Sequence, residues 1–600
     1  MRRLALLALL CAPTAWAAQG GGVAGSKHDF SITGKGAVKA RSEQRACIFC
    51  HAAHAGGQGA SNRPAGLAAP QAYRSATMAS QPSSGANGAS RLCLSCHDGT
   101  MGIGETLTAR IDLSGPASAR AGGQTAGAGM DLTRGHPVSF RVAASAAVRR
   151  PEKGEDVQLD PQAQVQCTSC HDPHREAADP VERMFLVKPT RSGQLCLGCH
   201  TMPGWQSGAA AHQASTASTQ VAGSTARYPT VAENGCGSCH VSHRAGAASL
   251  LKVAPGQGED QVCLACHDGR VARTNLAAEV SKPYAHAMPL GPTGHVAGEG
   301  PQNAADRLPE NRATAPRHVA CVDCHEPHAA TSRPAQAPRA GGALTDVWGI
   351  DRNGVKVARV SYEYEVCFKC HADSANQPQQ RAGALPGTPQ RAVVDVNLRR
   401  VFGADATSSH PVLGPGRGSS VPSLIAPLTA ASTIYCSDCH ASDARAASAS
   451  APRGPHGSVY PHLLERSYLT ADRSPESAGS YALCYKCHDR SVLVVNLAPG
   501  SPAAPLTAFA APTSLDPRKQ NLHRLHVADP AVSTPCSTCH NAHGVSARAA
   551  GAAGGAHLVD FDVAVVKPSA RGQRAYTSRG LRTGSCALSC HGKDHDDLGY

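Results

Sequence analysis

The chain has little of the material that builds a large apolar core. Aromatic residues make up 4% and charged residues 17% of its 600 residues, whereas glycine and proline number 60 and 42. At roughly 100–200 residues per domain, the length would allow three to five ordinary domains, but large apolar residues are too sparse for that many cores. The composition therefore argues against an ordinary large enzyme and predicts that something other than side chains fills the interior.

Long apolar runs are also scarce, and the one at the N terminus has the layout of a secretory signal. Arg2 and Arg3 precede the apolar run from Leu4 to Cys11, and Ala15 and Ala17 follow as small residues near the end. This layout predicts a signal peptide over residues 1–17 and an exported protein, periplasmic, outer-membrane-associated or extracellular. No later stretch approaches the ~18 consecutive apolar residues of a membrane helix, so we expect no transmembrane helix.

Cysteine is abundant and follows one pattern. Of 25 cysteines, only Cys11 lies in the signal, and the other 24 occur as eleven CxxCH motifs and one CxxxCH variant, CALSCH. The paired cysteines are Cys47 and Cys50, Cys93 and Cys96, Cys167 and Cys170, Cys196 and Cys199, Cys236 and Cys239, Cys263 and Cys266, Cys321 and Cys324, Cys367 and Cys370, Cys436 and Cys439, Cys484 and Cys487, Cys536 and Cys539, and Cys586 and Cys590. The histidines that follow them are His51, His97, His171, His200, His240, His267, His325, His371, His440, His488, His540 and His591.

The spacing is that of c-type haem attachment. Two thioethers hold one porphyrin edge, and the histidine after the second cysteine becomes the proximal iron ligand. Chance would give roughly 0.05 copies at this composition, so the motifs predict twelve covalently attached haems c. Zinc ribbons join two cysteine pairs without needing these histidines, and disulfide frameworks do not repeat one two-residue gap, so both are poorer explanations. The haems would supply the missing apolar interior.

The remaining histidines are candidate distal ligands. Removing the twelve motif histidines from 30 leaves 18, and the mature chain has too few methionines to serve most haems, so we predict bis-histidine ligation and low potentials. Five sites continue as CxxCHxxH, and we expect these histidines to ligate a neighbouring haem: His54, His174, His243, His328 and His543. Further candidates are His28, His136, His212, His286, His318, His410, His456, His523 and His526.

The motifs also repeat at long range. Cys47, His54, Cys93 and His136 map onto Cys321, His328, Cys367 and His410 with one offset of 274 residues, which predicts two tandem hexahaem halves, residues 18–305 and 306–600. Because odd-numbered sites tend to carry CxxCHxxH, the finer repeat is a pair of haems. The ninth site departs from this rule with Asp443, and His456 or His462 is its expected substitute.

The segments KHDFSITG, CIFCHAAH, RLCLSCHDGT, GHPVSF, VQCTSCHDPH and LCLGCH resemble the doubled-CxxCH multihaem c-type cytochromes of bacteria that respire metals or other extracellular acceptors. The resemblance implies a chain of bis-histidine haems and makes His28 and His136 distal ligands. We expect a multihaem cytochrome fold of mostly irregular loops with short α-helices around the CxxCH sites and little β structure. One hairpin is predicted, with its turn at Asp351 to Gly354.

The function expected is electron transfer by a dodecahaem cytochrome without enzymatic activity. The expected partners are other redox proteins, namely donor and acceptor cytochromes, with a porin-type outer-membrane protein as a further candidate. The net charge of +13 does not indicate nucleic acid, because 24 haem propionates would offset the basic side chains. The alternative is a multihaem reductase, which would need one iron with an open coordination position.

Overall fold

A computed structural model describes residues 22–51, 85–97, 111–114, 132–175, 179–286, 319–373, 388–418, 420–448, 450–495, 507, 509–511, 514–516, 518–550, 555–580 and 583–600. Within these ranges the chain forms short helices, small strand pairs and many loops, as the composition predicts. The predicted signal peptide lies outside the described residues, and among them no helix combines the length and apolar character that a membrane crossing needs.

Among the described residues the helices are short, and the longest has ten residues. The α-helices are α1 (Gly88–His97), α2 (Pro203–Gln206), α3 (Val231–Asn234), α4 (Gln261–Leu264), α5 (Leu276–Val280), α6 (Cys321–Cys324), α7 (Glu363–His371), α8 (Leu398–Phe402), α9 (Arg490–Leu493), α10 (Leu522–Val527), α11 (Cys536–Cys539) and α12 (Ala547–Ala550). The 3₁₀ turns are Ala46–Phe49, Leu132–Arg134, Cys167–Ser169, Arg191–Gly193, Cys196–Gly198, Gly235–Ser238, Ala248–Leu250, Gly342–Leu344, Cys436–Asp438, Asp443–Ala446, Pro461–Leu463, Cys484–Lys486 and Ala556–Leu558.

The strands form antiparallel pairs and one three-stranded sheet. They are β1 (Lys39–Ala40), β2 (Leu113–Ser114), β3 (Phe140–Arg141), β4 (Gln164–Val165), β5 (Tyr284–Ala285), β6 (Gly349–Ile350), β7 (Lys356–Val357), β8 (Ser408–Ser409), β9 (Gly457–Ser458), β10 (Gly544–Val545), β11 (Ala575–Gly580), β12 (Thr583–Cys590) and β13 (Lys593–Gly599). The described pairs are β1 with β2, β3 with β4, β5 with β9, β6 with β7, and β8 with β10, and the sheet has the order β11-β12-β13.

Each of the eleven CxxCH motifs includes a helical turn, and the twelfth site lies on β12 instead. At His171 and His540, for example, the backbone N–H donates to the carbonyl of the first cysteine of its motif at 2.9 Å. A helical turn puts residues three and four apart on one face, so it brings two thiols and an imidazole to one side. This is the arrangement that attachment to a single porphyrin edge requires.

Residue contacts divide the chain into two compact units. The first consists of residues 1–201 and 233–250, and the second of residues 202–232 and 251–600. The first unit therefore contains five CxxCH motifs, and the second contains six together with the CxxxCH variant. The expected division into halves at residues 305 and 306 stays a prediction.

The apolar clusters are small. Among the described residues the largest has six buried members and lies in the second unit, where Ile350, Tyr364 and Phe368 pack together. The predicted hairpin is present there, because β6 pairs with β7 and the Asp351 carboxylate accepts the Asn353 N–H at 2.8 Å. The hairpin packs on α7, the helix that carries the eighth attachment site.

Candidate functional site

In the first unit, four motif histidines each face a histidine from elsewhere in the chain. Their ring centroids are 5.9 to 6.2 Å apart. The pairs are His51 with His174, His97 with His28, His171 with His243, and His200 with His136. Every one of these partners is a distal candidate from the sequence.

In the second unit, four more motif histidines are paired in the same way. Their ring centroids are 5.8 to 6.4 Å apart. The pairs are His267 with His212, His325 with His456, His440 with His543, and His540 with His523. In the third of these, the two Nε2 atoms face each other at 3.5 Å.

The separation of the rings suits an iron between them. Two metal–imidazole bonds of about 2 Å in line, with about 1.2 Å from each nitrogen to its ring centre, give about 6.4 Å between centroids. Ordinary aromatic pairs also occur at about 4.5–7 Å, so the distance alone does not decide. The composition of the pairs distinguishes them from ordinary ring contacts, because each of the eight joins one motif histidine to one other histidine.

Hydrogen bonds at Nδ1 leave Nε2 available for a metal. The Nδ1–H of His171 donates to the carbonyl of Met184 at 2.7 Å, and that of His325 donates to the carbonyl of Ala343 at 2.9 Å. On the distal side, the Nδ1–H of His212 donates to the carbonyl of Pro327 at 3.1 Å. A donor bond at Nδ1 fixes the tautomer and leaves the Nε2 lone pair free to bind a metal.

Burial keeps several of these imidazoles neutral. It is the main cause that lowers the pKa of His28 and of His456 to about 4, and the pKa of His523 and of His543 to about 3, with nearby histidines adding to the effect. Neutral imidazole is the form that binds a metal, so these side chains need not lose a proton near pH 7 in order to ligate.

The CxxCHxxH histidines follow a regular rule. His174 of the third site faces the first site, His243 of the fifth faces the third, and His543 of the eleventh faces the ninth. Each therefore reaches the attachment site two places earlier in the chain, as expected for a histidine that cannot reach the far side of its own porphyrin. The sequence predicted a neighbouring site without specifying which one.

The ninth site lacks the histidine three residues after its motif, and a histidine from the following loop occupies the corresponding position. His456 faces His325 of the seventh site, again two places earlier. The Oδ1 atom of Asp443 accepts hydrogen bonds from the Lys282 Nζ at 2.9 Å and from the Val459 N–H at 3.1 Å. Val459 directly follows β9, so Asp443 anchors the loop that carries His456. Of the two substitutes that the sequence left open, His456 is the one whose ring faces a motif histidine in the described residues.

The other distal candidates have more varied surroundings. The His410 charge, after burial, helps to lower the pKa of His488 to about 4, which places the two groups close together. His286 donates its Nδ1–H to the Pro455 carbonyl at 3.0 Å, and His328 donates its Nδ1–H to Glu326 Oε1 at 2.7 Å. His526 faces His595 rather than a motif histidine. His54 and His318 lie outside the described residues.

Contacts between cysteine thiols join each even-numbered site to the next odd-numbered one. Five such pairs of neighbouring cysteine side chains are present: Cys93 with Cys167, Cys196 with Cys236, Cys263 with Cys321, Cys367 with Cys436, and Cys484 with Cys536. Backbone bonds support these contacts, since the Cys167 N–H donates to Ser90 Oγ at 2.9 Å and the Cys321 N–H donates to Asp260 Oδ1 at 2.8 Å.

A second set of approaches joins odd-numbered sites to the following even ones. The charge of one thiolate contributes to raising the pKa of its neighbour at Cys50 and Cys93, at Cys170 and Cys199, at Cys324 and Cys367, at Cys439 and Cys487, and at Cys539 and Cys586. Within each unit, attachment sites that are consecutive in sequence are therefore neighbours in space.

The twelfth site does not have the conformation of the other eleven. Cys586 and Cys590 lie on β12, and His591 occupies the turn before β13 with φ of 49°. The Nε2 atom of His591 lies 3.0 Å from both carboxylate oxygens of Asp472. Sequence reasoning missed Asp472, since it belongs to no motif.

Comparison with known families agrees with this geometry. A family model described as the doubled CXXCH motif matches residues 160–203, 229–272 and 426–492. These regions contain the third and fourth, the fifth and sixth, and the ninth and tenth attachment sites. No curated protein matches the chain significantly. In these three regions the doubled motifs, each with a helical turn at its first cysteine, are consistent with a multihaem c-type cytochrome of the doubled-CxxCH kind.

Proposed function

We propose that this protein is an exported dodecahaem cytochrome that carries electrons along a row of bis-histidine haems. The observation that carries the proposal is the set of eight imidazole pairs, each of which joins one motif histidine to one other histidine at 5.8 to 6.4 Å. Haem bound at these positions supplies a one-electron couple, and an imidazole on both faces leaves no coordination position for a substrate.

The ligand sets also support two equivalent hexahaem halves. A shift of six sites relates the pair at the first site, His51 and His174, to that at the seventh, His325 and His456. The same shift relates His243 at the third site to His543 at the ninth, and His136 at the fourth to His410 at the tenth. By this correspondence His286 is the distal ligand at the eighth site, as His28 is at the second.

The chain's own residues hold the sites in order. The backbone bonds at Cys167 and Cys321 hold consecutive attachment sites against each other, at positions where the cysteine sulfurs of the two sites lie close together. Electron tunnelling falls steeply with distance, so a row of neighbouring sites favours passage along the chain order over a jump between distant ones. The buried neutral histidines and the small apolar clusters would limit the access of water to the haem irons.

The predicted leader supports a place in the periplasm, at the outer membrane or outside the cell. The natural partners are then other redox proteins at the two ends of the row, with a porin-type outer-membrane protein as one candidate. When a membrane extract of the source cell is passed over the immobilised holoprotein, the holoprotein should retain cytochromes from it. If no haem protein is retained, this placement is wrong.

Two measurements separate this proposal from a multihaem reductase. Intact mass of the mature protein should correspond to twelve covalent haems, and a count of four or six would reject the assignment. Carbon monoxide added to the reduced protein, and nitrite or sulfite added to either redox state, should leave the Soret spectrum unchanged because every iron has two imidazoles. Rapid ligand binding at one iron, followed by turnover of an oxyanion, would favour the reductase.

A further inference from the structure

Two pairs of consecutive attachment sites in the second unit have a lysine between their motifs. The seventh and eighth motifs read CVDCH and CFKCH, and the ninth and tenth read CSDCH and CYKCH. Lys369 and Lys486 thus occupy the same place, directly before the second cysteine of an even-numbered motif. The motifs six sites earlier have Ser95 and Gly198 at this place, so the two lysines belong to one half of the repeat only.

Both lysines bind the preceding motif in the same way. The Lys369 Nζ donates to the carbonyl of Asp323, and the Lys486 Nζ donates to the carbonyl of Asp438 at 2.6 Å. Each of these aspartates directly precedes the second cysteine of an odd-numbered motif. Each ammonium group therefore lies between two consecutive attachment turns, since one turn carries it and the other accepts its hydrogen bond.

Lys369 is buried, and no carboxylate in the described part of the chain forms an ion pair with it. It is 4% exposed, and its Nζ lies 4.4 Å from the centre of the Trp348 ring. Burial raises the pKa of the Cys324 thiol at the seventh site to about 12, and the Lys369 charge is the largest influence that opposes this rise. The charge therefore acts directly on the seventh attachment turn.

Lys486 lies in a cluster with more positive than negative charge. Its Nζ is 2.8 Å from the carboxylate of Glu465, a residue that is 2% exposed. Arg445 and Arg466 lie 3.5 and 3.3 Å from the same carboxylate, so one buried negative charge faces three cations. Burial raises the pKa of the Cys439 thiol at the ninth site to about 11, and here too the lysine charge is the largest influence that opposes the rise.

The fourth site, which corresponds to the tenth, has different surroundings. A Cβ at Gly198 would lie 2.8 Å from Val157 Cγ2, so a lysine has no room at this place. Arg149 does approach the site and donates to the Leu197 carbonyl at 3.5 Å. Two hydrogen bonds of 2.7 Å join its guanidinium to Glu155, however, and its side chain is 38% exposed. The Arg149 charge is therefore both paired and screened by water.

We propose that Lys369 and Lys486 raise the reduction potentials of the haems between which they lie, so that the seventh to tenth haems are reduced before the first to fourth. The inference rests on the proposed function, because it orders the haems of that row. Each ferric iron takes one electron from a donor cytochrome and becomes ferrous, and the haem core loses one positive charge. A buried cation nearby disfavours the more positive ferric state and therefore favours reduction. At an effective dielectric constant of about 20, a charge about 10 Å away shifts the reduction equilibrium about tenfold, which is about 59 mV for one electron.

The test is an optical redox titration of the mature holoprotein, with covalent haem counted by intact mass and spin state measured by electron paramagnetic resonance. In the wild type, four haem equivalents should be reduced ahead of the others. The double variant Lys369→Met/Lys486→Met keeps side chains of similar length without their charge, and it should shift this component about tenfold toward the oxidised form. Lys486→Arg keeps the charge and should keep the wild-type titration. Lys567→Met is the matched control, because the exposed Lys567 Nζ also donates to a carbonyl, that of Val563, at 3.0 Å.

Three results would overturn the inference. The first is a wild-type titration in which no group of four haem equivalents leads the rest, a measurement that needs no variant to fold. The second is a double methionine variant that keeps its haems and its wild-type titration. The third is an equal shift in Lys567→Met, which would make total charge, and not the placement of the two lysines, the cause. All three leave every iron low-spin if the proposed electron-transfer function is correct, whereas failure of that function would appear as high-spin iron in the wild type.

Discussion

Replacing His456 by alanine should open the iron at the seventh site and no other. The His456 ring lies 6.1 Å from the ring of His325, and the two planes differ by 13°, so in the proposed holoprotein its imidazole would be the second ligand of the seventh iron. Alanine ends at Cβ and cannot reach the metal. His286 lies near His456 but is the proposed ligand of the eighth site, so it would not replace His456 at the seventh. One iron among the twelve sites is about 8% of the total, which sets the size of the expected signal.

The assay is electron paramagnetic resonance of the oxidised variant, with carbon monoxide binding to the reduced form as a second readout. We expect one high-spin ferric iron per molecule and one carbon monoxide bound, against none in the wild type. His462→Ala is the matched control, since His462 lies six residues away in the same segment. An unchanged His456→Ala spectrum, or a new high-spin iron in His462→Ala, would refute the assignment of His456 to the seventh site.

Three further variants test how the sites are held. Lys282→Met should lower the free energy of unfolding by about 3 kcal/mol, measured by chemical denaturation. The substitution leaves the carboxylates of Glu279 and Asp443 without the Lys282 ammonium, which lies 2.6 Å from the first and 2.9 Å from the second. A loss below about 0.5 kcal/mol, typical of an exposed ion pair, would contradict the anchoring role of this cluster. Gly193→Ala should destabilise the folded protein by about 1–2 kcal/mol and slow electron transfer between the fourth and fifth sites. Gly193 has φ of 79°, and a Cβ at this position would lie 2.8 Å from Cys236 Sγ. Unchanged stability and transfer rates would contradict this close contact. Ser90→Ala should cost about 1–2 kcal/mol in thermal unfolding, because the Ser90 hydroxyl accepts the Cys167 N–H at 2.9 Å and donates to Gln166 Oε1 at 2.5 Å, whereas the exposed Ser448→Ala should change the midpoint little.

The attachment sites could be read from the sequence because their chemistry requires contiguous residues. CxxCH fixes two thiols and an imidazole on one helical turn, and all eleven copies adopt such a turn. The predicted scarcity of regular structure also holds, because haem attachment takes the place of strand and helix packing. The hairpin at Asp351 to Gly354 was predictable as well, since its turn residues determine the backbone locally.

The distal pairs could be predicted only in part, because they join residues far apart in the chain. His456 and His325 are separated by 131 positions, and nothing local to either residue specifies the other. The role of Asp443 was equally hidden, since its partner Lys282 lies 161 residues away. A rule that assigns each such histidine to the attachment site two places earlier would have given the partners of His174, His243 and His543. It would also have indicated that the His456 loop serves the seventh site in place of the histidine that the ninth site lacks.

The conformation at the twelfth site could not be predicted from its motif. The motif differs from the other eleven by one extra residue between Cys586 and Cys590, but β11 and β13 pair with this segment on both sides and hold it extended. Cross-strand pairing therefore overrides the local preference that the motif has elsewhere.

The central claim is that an imidazole caps each iron on both faces, and the spin state of the oxidised wild-type holoprotein tests it most directly. Electron paramagnetic resonance, quantified against the covalent haem count, should show low-spin ferric iron at every site. A stoichiometric high-spin signal in the wild type, from even one iron with an open position, would contradict it.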